Sequence, residues 1–101
     1  MRFRGEVESI AYEPSGRGKL RTWFIEVRLR QEETASRLFE ELDAPYAAQE
    51  KTCVEIEALD EQERDAWLVR IIAYLARVGH LDRNQELTAY VSFGLPYASP
   101  L

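Results

Sequence analysis

His80 is the only histidine in the chain and Cys53 the only cysteine. A catalytic histidine needs a nucleophile on one side and an orienting acid on the other. His80 has Asp82 close in sequence, but it follows Gly79 at the end of a helical stretch. A histidine there complements the negative end of the helix dipole. Suitability for proton transfer near neutral pH is all that favours a chemical role for it. Cys53 lies on a strand pattern next to Glu55, and a neighbouring carboxylate disfavours the thiolate. It reads as a small, half-buried apolar residue. One cysteine also excludes an internal disulfide framework and a multi-cysteine zinc site. No cofactor is implied.

Carboxylates are plentiful: Glu32-Glu33, Glu40-Glu41, Glu55 with Glu57, and the set Asp60, Glu61, Glu63 and Asp65. Glu55 and Glu57 are two apart on a strand and share one face. Such a pair suits acid/base work or a hard cation. No loop of alternating acids around a glycine accompanies them, so a wetted strand face is the plainer reading and no metal is expected. Ser15-Gly16-Arg17-Gly18-Lys19 resembles a phosphate loop in composition only. It joins two strands, Lys19 is followed by leucine, and no helix N-terminus is at hand to hold a phosphate.

Positioning these residues requires regular elements. Trp23, Ile25, Val27 and Leu29 alternate with Phe24, Glu26 and Arg28, the period of a half-buried strand. Phe3, Gly5 and Val7 share a parity that slips to Ile10 and Tyr12, which predicts a β-bulge near Glu8-Ser9. With the proline and glycine turn at 13–19, residues 2–30 read as a long β-hairpin. Ala35, Leu38, Phe39 and Leu42 mark a helix over 32–43, stopped ahead of Pro45. Tyr46 to Lys51 reads as a connection, and residues 52–58 as a strand. Asp60 and Glu63 resemble a capping box opening a second helix that Gly79 ends. Leu87, Ala89, Val91 and Phe93 alternate with Glu86, Thr88, Tyr90 and Ser92, which predicts a last strand over 86–93. Trp23 and Trp67 fall on apolar stripes as core anchors.

The expected fold is therefore α+β: a two-layer sandwich of ββαβαβ order, with a four-stranded, mainly antiparallel sheet and two helices on one face. One domain spans residues 1–94, and 95–101 form an apolar, extended tail. No secretory leader and no apolar run long enough to span a membrane occur, so the expected setting is cytoplasmic.

The formal net charge is −5. It divides into +3 over residues 1–30, −9 over 31–65 and +1 over 66–101. An acidic middle segment suits a basic protein surface, as in inhibitors and immunity-type proteins. The sheet's far face, centred on Phe24 and Tyr90 with Glu55 and Glu57, is the expected partner or homodimer surface, and Glu40 and Glu41 on the first helix are expected to contact the partner as well. An RNA-binding sheet would place basic residues around its aromatics, and this one places glutamates there. The leading reading is thus a small, acidic, non-enzymatic protein-interaction module. The alternative is a small enzyme or ligand-binding domain with its site on the open face or near His80. A weaker alternative is nucleic-acid contact through the basic hairpin residues Arg17, Lys19 and Arg21.

Overall fold

A computed structural model describes residues 1–16 and 21–96. Seven elements follow in order: β1 (Val7–Pro14), β2 (Trp23–Leu29), α1 (Glu32–Leu42), β3 (Ala47–Glu50), β4 (Cys53–Ala58), α2 (Glu61–Arg77) and α3 (Arg83–Phe93). They make an α+β domain with one four-stranded sheet of order β1-β2-β4-β3, antiparallel throughout. Alternation along the strands decides which face is buried. Val7 and Ile10 of β1, Ile25, Val27 and Leu29 of β2, and Val54, Ile56 and Ala58 of β4 all point into the core. There they meet Ala35, Leu38 and Leu42 of α1 and Leu68, Ile71, Ile72 and Leu75 of α2. Burying one stripe per helix and one face per strand is what holds these layers together.

The parity slip in β1 is real. Val7 lies opposite Leu29 while Ser9 lies opposite Arg28, so one extra residue is absorbed between Val7 and Ser9. The hairpin is shorter than 2–30, however. Residues 1–3 turn back on β1 instead of extending it: Arg2 bridges Ser9, the Phe3 amide donates to the Glu8 carbonyl at 2.9 Å, and the Ile10 amide donates to the Met1 carbonyl at 2.9 Å. Arg30 holds this fold-back, its guanidinium donating to the carbonyls of Gly5 at 2.7 Å and Phe3 at 3.0 Å.

Residues 86–93 are helical, which corrects the last expected strand and changes the order to ββαββαα. Asp82 caps α3 and accepts from the Gln85 amide at 2.8 Å; the Gln85 side chain accepts from the Asp82 amide at 2.9 Å. This reciprocal capping box satisfies donors that the first helical turn leaves open. Gly94 ends α3 at a φ of 65°, and the Leu95 amide donates to the Tyr90 carbonyl at 2.8 Å. Leu95 is thereby carried into the core, while Tyr97 to Leu101 of the expected tail lie outside the described residues. The fourth strand is β3, inside the segment expected to be a connection. A two-residue turn, Lys51-Thr52, joins it to β4, with Lys51 at a φ of 54°.

At α2, Asp60 accepts from the Glu63 amide at 2.7 Å, as the sequence predicts. The Glu63 carboxylate, however, takes the Trp67 indole N–H at 3.4 Å, so only half of the capping box forms. Trp23 is half-buried. Its ring and that of Tyr12 meet edge-on at 5.5 Å, and the Arg64 guanidinium stands 4.4 Å from both ring centres. The Arg64 side chain is only 12% exposed and pairs with Asp65 at 3.0 Å. A desolvated cation between two aromatic rings contributes about 2 kcal/mol, which fastens the start of α2 to the hairpin.

Candidate functional site

The face of the sheet turned away from the helices carries the side chains of alternate residues in cross-strand rows. Ser9, Arg28, Cys53 and Glu50 form one row, and Ala11, Glu26, Glu55 and Ala48 the next. Glu13, Phe24 and Glu57 form the third, which Tyr46 extends, since its carbonyl accepts the Glu57 amide at 2.8 Å. Five carboxylates therefore stand on this face, at Glu13, Glu26, Glu50, Glu55 and Glu57. Against them are Arg28 on the strands and Lys51 at the rim.

Arg28 is committed. Its Nε donates to the Glu26 carboxylate at 2.8 Å, and this hydrogen bond and charge hold the guanidinium all the more firmly protonated. Glu55 lies directly across from Glu26 and has no ion-pair partner among the described residues. Like charges opposed across strands destabilise a sheet unless something neutralises them. The half-buried Phe24 sits between Glu13 and Glu57. Three hollows open on this face, all lined in part by Glu55, and two of them by Phe24. One of about 450 Å³ lies between Glu26, Arg28, Glu50 and Glu55. A second, of about 130 Å³, lies between Ala11, Glu13, Phe24, Glu26 and Glu55. A third, of about 280 Å³, lies between Phe24, Tyr46, Ala48, Glu55 and Glu57. The methyl side chains of Ala11 and Ala48 leave the ends of the middle row open.

Cys53 shares this face. Partial burial pushes its thiol up from the ordinary range, and the Glu26 carboxylate pushes it further, against an opposing pull from Arg28. A thiol in that state is a poor nucleophile. No three His, Cys, Asp or Glu side chains among the described residues stand close enough to share one metal ion. The carboxylates are spread along rows, an arrangement that meets an extended cationic surface better than a point charge.

The sequence-derived candidates separate into different regions. Phe24, Glu55 and Glu57 come together on the open face. Tyr90 does not join them: it lies on α3, buried on the helix side at 5% exposure. Glu40 and Glu41 lie on α1, in the opposite layer, where Glu41 pairs with Arg77 at 2.9 Å. Arg21 is exposed just before β2, and Arg17 and Lys19 lie outside the described residues. His80 occupies the turn that ends α2, its amide donating to the Leu75 carbonyl at 2.8 Å. No hydrogen bond among the described residues reaches its imidazole. Glu13, Glu50, Ala48 and Tyr46 belong to the face and are absent from the sequence-derived candidates. Parity along β1 could have placed Glu13; the other three depend on recognising β3. Among the described residues no helix is long and apolar enough to cross a membrane. Comparison of the chain with protein families, curated proteins and solved structures finds no match.

Proposed function

We propose that this chain is a small, non-enzymatic interaction module that docks a basic protein surface on the open face of its sheet. The observation that carries this reading is the opposition of Glu26 and Glu55 amid Glu13, Glu50 and Glu57, with one arginine in the rows. Arg28 offsets Glu26 alone; a stable sheet has no use for the remaining excess of negative charge on this face, whereas a cationic partner does. Phe24 adds an apolar centre to a polar rim, the layout of a protein contact surface. Phosphate-bearing ligands are repelled by the same carboxylates.

The test is capture of a partner from native lysate by the immobilised domain, compared with Glu26→Lys/Glu55→Lys and with Glu40→Lys/Glu41→Lys variants. Loss with the first pair and retention with the second is the expected result. The opposite pattern moves the surface to α1, and capture unaffected by either pair removes the charge argument. Thermal melts of each variant establish that the fold is intact.

A further inference from the structure

We infer that the partner engages as an extended basic segment that adds a fifth strand to the free edge of β3. This rests on the reading of the open face as a docking surface, and it names the partner's chemistry and its pose. Among the described residues β3 is an edge strand, with a neighbouring strand on one side only. The Tyr46 carbonyl accepts from Glu57 across β3 and β4. In an antiparallel pair the direction of the backbone groups alternates from one residue to the next. Tyr46, Ala48 and Glu50 therefore bond to β4, while Ala47 and Gln49 aim their N–H and C=O groups outward. An edge of this kind is a ready template for another strand.

Register then dictates what the added strand must carry. A residue placed opposite Ala48 on the open face continues the row Ala11, Glu26, Glu55, Ala48. Strands are about 4.8 Å apart, so Glu55 stands about 10 Å from that position at the backbone. Only the Ala48 methyl lies between, low enough for a long side chain to pass over. An arginine there spans the gap to Glu55, which has no ion-pair partner among the described residues, and its planar fork suits a carboxylate. Two residues along, the next side chain on this face falls beside Glu50. Two residues the other way, it falls beside Tyr46, 57% exposed, at the hollow bounded by Phe24, Glu55 and Glu57. Arginine stacks on aromatic faces as well as pairing with acids. The segment is thus basic at alternate positions. A second copy of this chain is a poor occupant, because its own β3 would bring another carboxylate face alongside the first.

The experiment titrates the full chain, labelled for amide NMR, with a short synthetic peptide that alternates arginine and threonine. The control peptide has glutamate in place of arginine. The expected result is saturable binding of the arginine peptide alone, with slowed exchange of the Ala47 and Gln49 amides. Ala47→Pro removes one outward donor without touching the ladder to β4, a change that edge strands tolerate. It should weaken binding about fivefold or more. Ala48→Arg, which keeps every backbone group and fills the row with a cation, should do the same and guards against misfolding of the proline variant. Absence of binding overturns the inference. Binding that Glu55→Lys abolishes but Ala47→Pro and Ala48→Arg leave intact overturns strand addition while leaving the face reading standing. Shifts clustered on Glu40 and Glu41 overturn both. A concentration-dependent dimer by light scattering, lost in Ala47→Pro, makes the occupant a second copy and also overturns it.

Discussion

Replacing Glu55 with lysine should make the domain more stable. Glu55 and Glu26 are register partners on β4 and β2, and both are exposed enough for water to mediate between them. Taking the carboxylates as about 6 Å apart in a dielectric of about 80, their repulsion is about 0.7 kcal/mol at low salt. At 0.15 M salt the screening length is about 8 Å, which roughly halves it. Charge reversal turns the repulsion into an attraction of similar size. Glu55→Lys should therefore gain about 0.7 kcal/mol at physiological salt and up to about 1.4 kcal/mol at low salt. Arg28 already draws charge away from Glu26, so these are upper values. For a domain of this length the smaller gain is a rise of about 3–6 °C in Tm. Urea titrations of wild type and variant at two ionic strengths measure the difference directly. A variant less stable than wild type, or a gain that does not grow as salt is removed, refutes the claim that these carboxylates oppose one another. A stabilising substitution that also abolishes partner capture would mark the face as one where stability yields to binding.

Further expectations concern other parts of the fold. Val91 is 72% exposed and Ala89 fully buried on α3, so Val91→Asp should change stability by less than about 0.5 kcal/mol while Ala89→Asp prevents cooperative folding; urea melts separate the two. The strand pattern would bury both positions alike. Asp82→Ala should cost about 1 kcal/mol, and a double-mutant cycle with Gln85→Ala should show the two effects to be coupled. Cys53 should alkylate more slowly in the native domain than in urea at mildly alkaline pH, and Glu26→Gln should speed the native reaction. The sign follows from the raised thiol: the native state holds its proton more tightly. Cys53 thus favours folding below the ordinary thiol range, and that contribution is lost as pH rises through the native thiol's range. A native rate equal to that in urea would contradict this. Ile56→Ala should cost about 2–5 kcal/mol by calorimetry, since its side chain is enclosed between sheet and helices.

Much of the sheet was legible because β2 and β4 alternate strictly, and a one-residue slip in β1 could mean only a bulge. The helical stripes of α1 and α2 were equally plain. α3 was not, because it is apolar on two sides: Ala89 and Tyr90 face in, while Leu87 and Val91 face out. Four apolar residues at even spacing then imitate a strand. The decisive signal lay outside the window, in Asp82 with Gln85 at one end and Gly94 at the other. Boundary residues bind specific backbone groups, so they discriminate where a short hydrophobic pattern does not. β3 was hidden for a different reason. Ala-Ala-Gln-Glu has little intrinsic preference for a strand, and it forms one because the turn at Lys51-Thr52 lays it against β4. Without β3 the candidate site is displaced too: strand parity puts Phe24, Glu55 and Glu57 on the right face but sets Tyr90 beside them where Tyr46 belongs.

Both tryptophans sit on the helix side of the sheet, Trp23 against Arg64 and Trp67 beneath Arg70, whose guanidinium is 4.8 Å from the ring. The molecule therefore contains an optical probe with a blind side. Its intrinsic emission follows the seating of the helices on the sheet, whereas a ligand settling over Glu50 and Glu55 lies across the sheet from both indoles. A change in tryptophan fluorescence on adding a partner would signal that the helical layer has shifted, and occupancy of the open face has to be followed by another label.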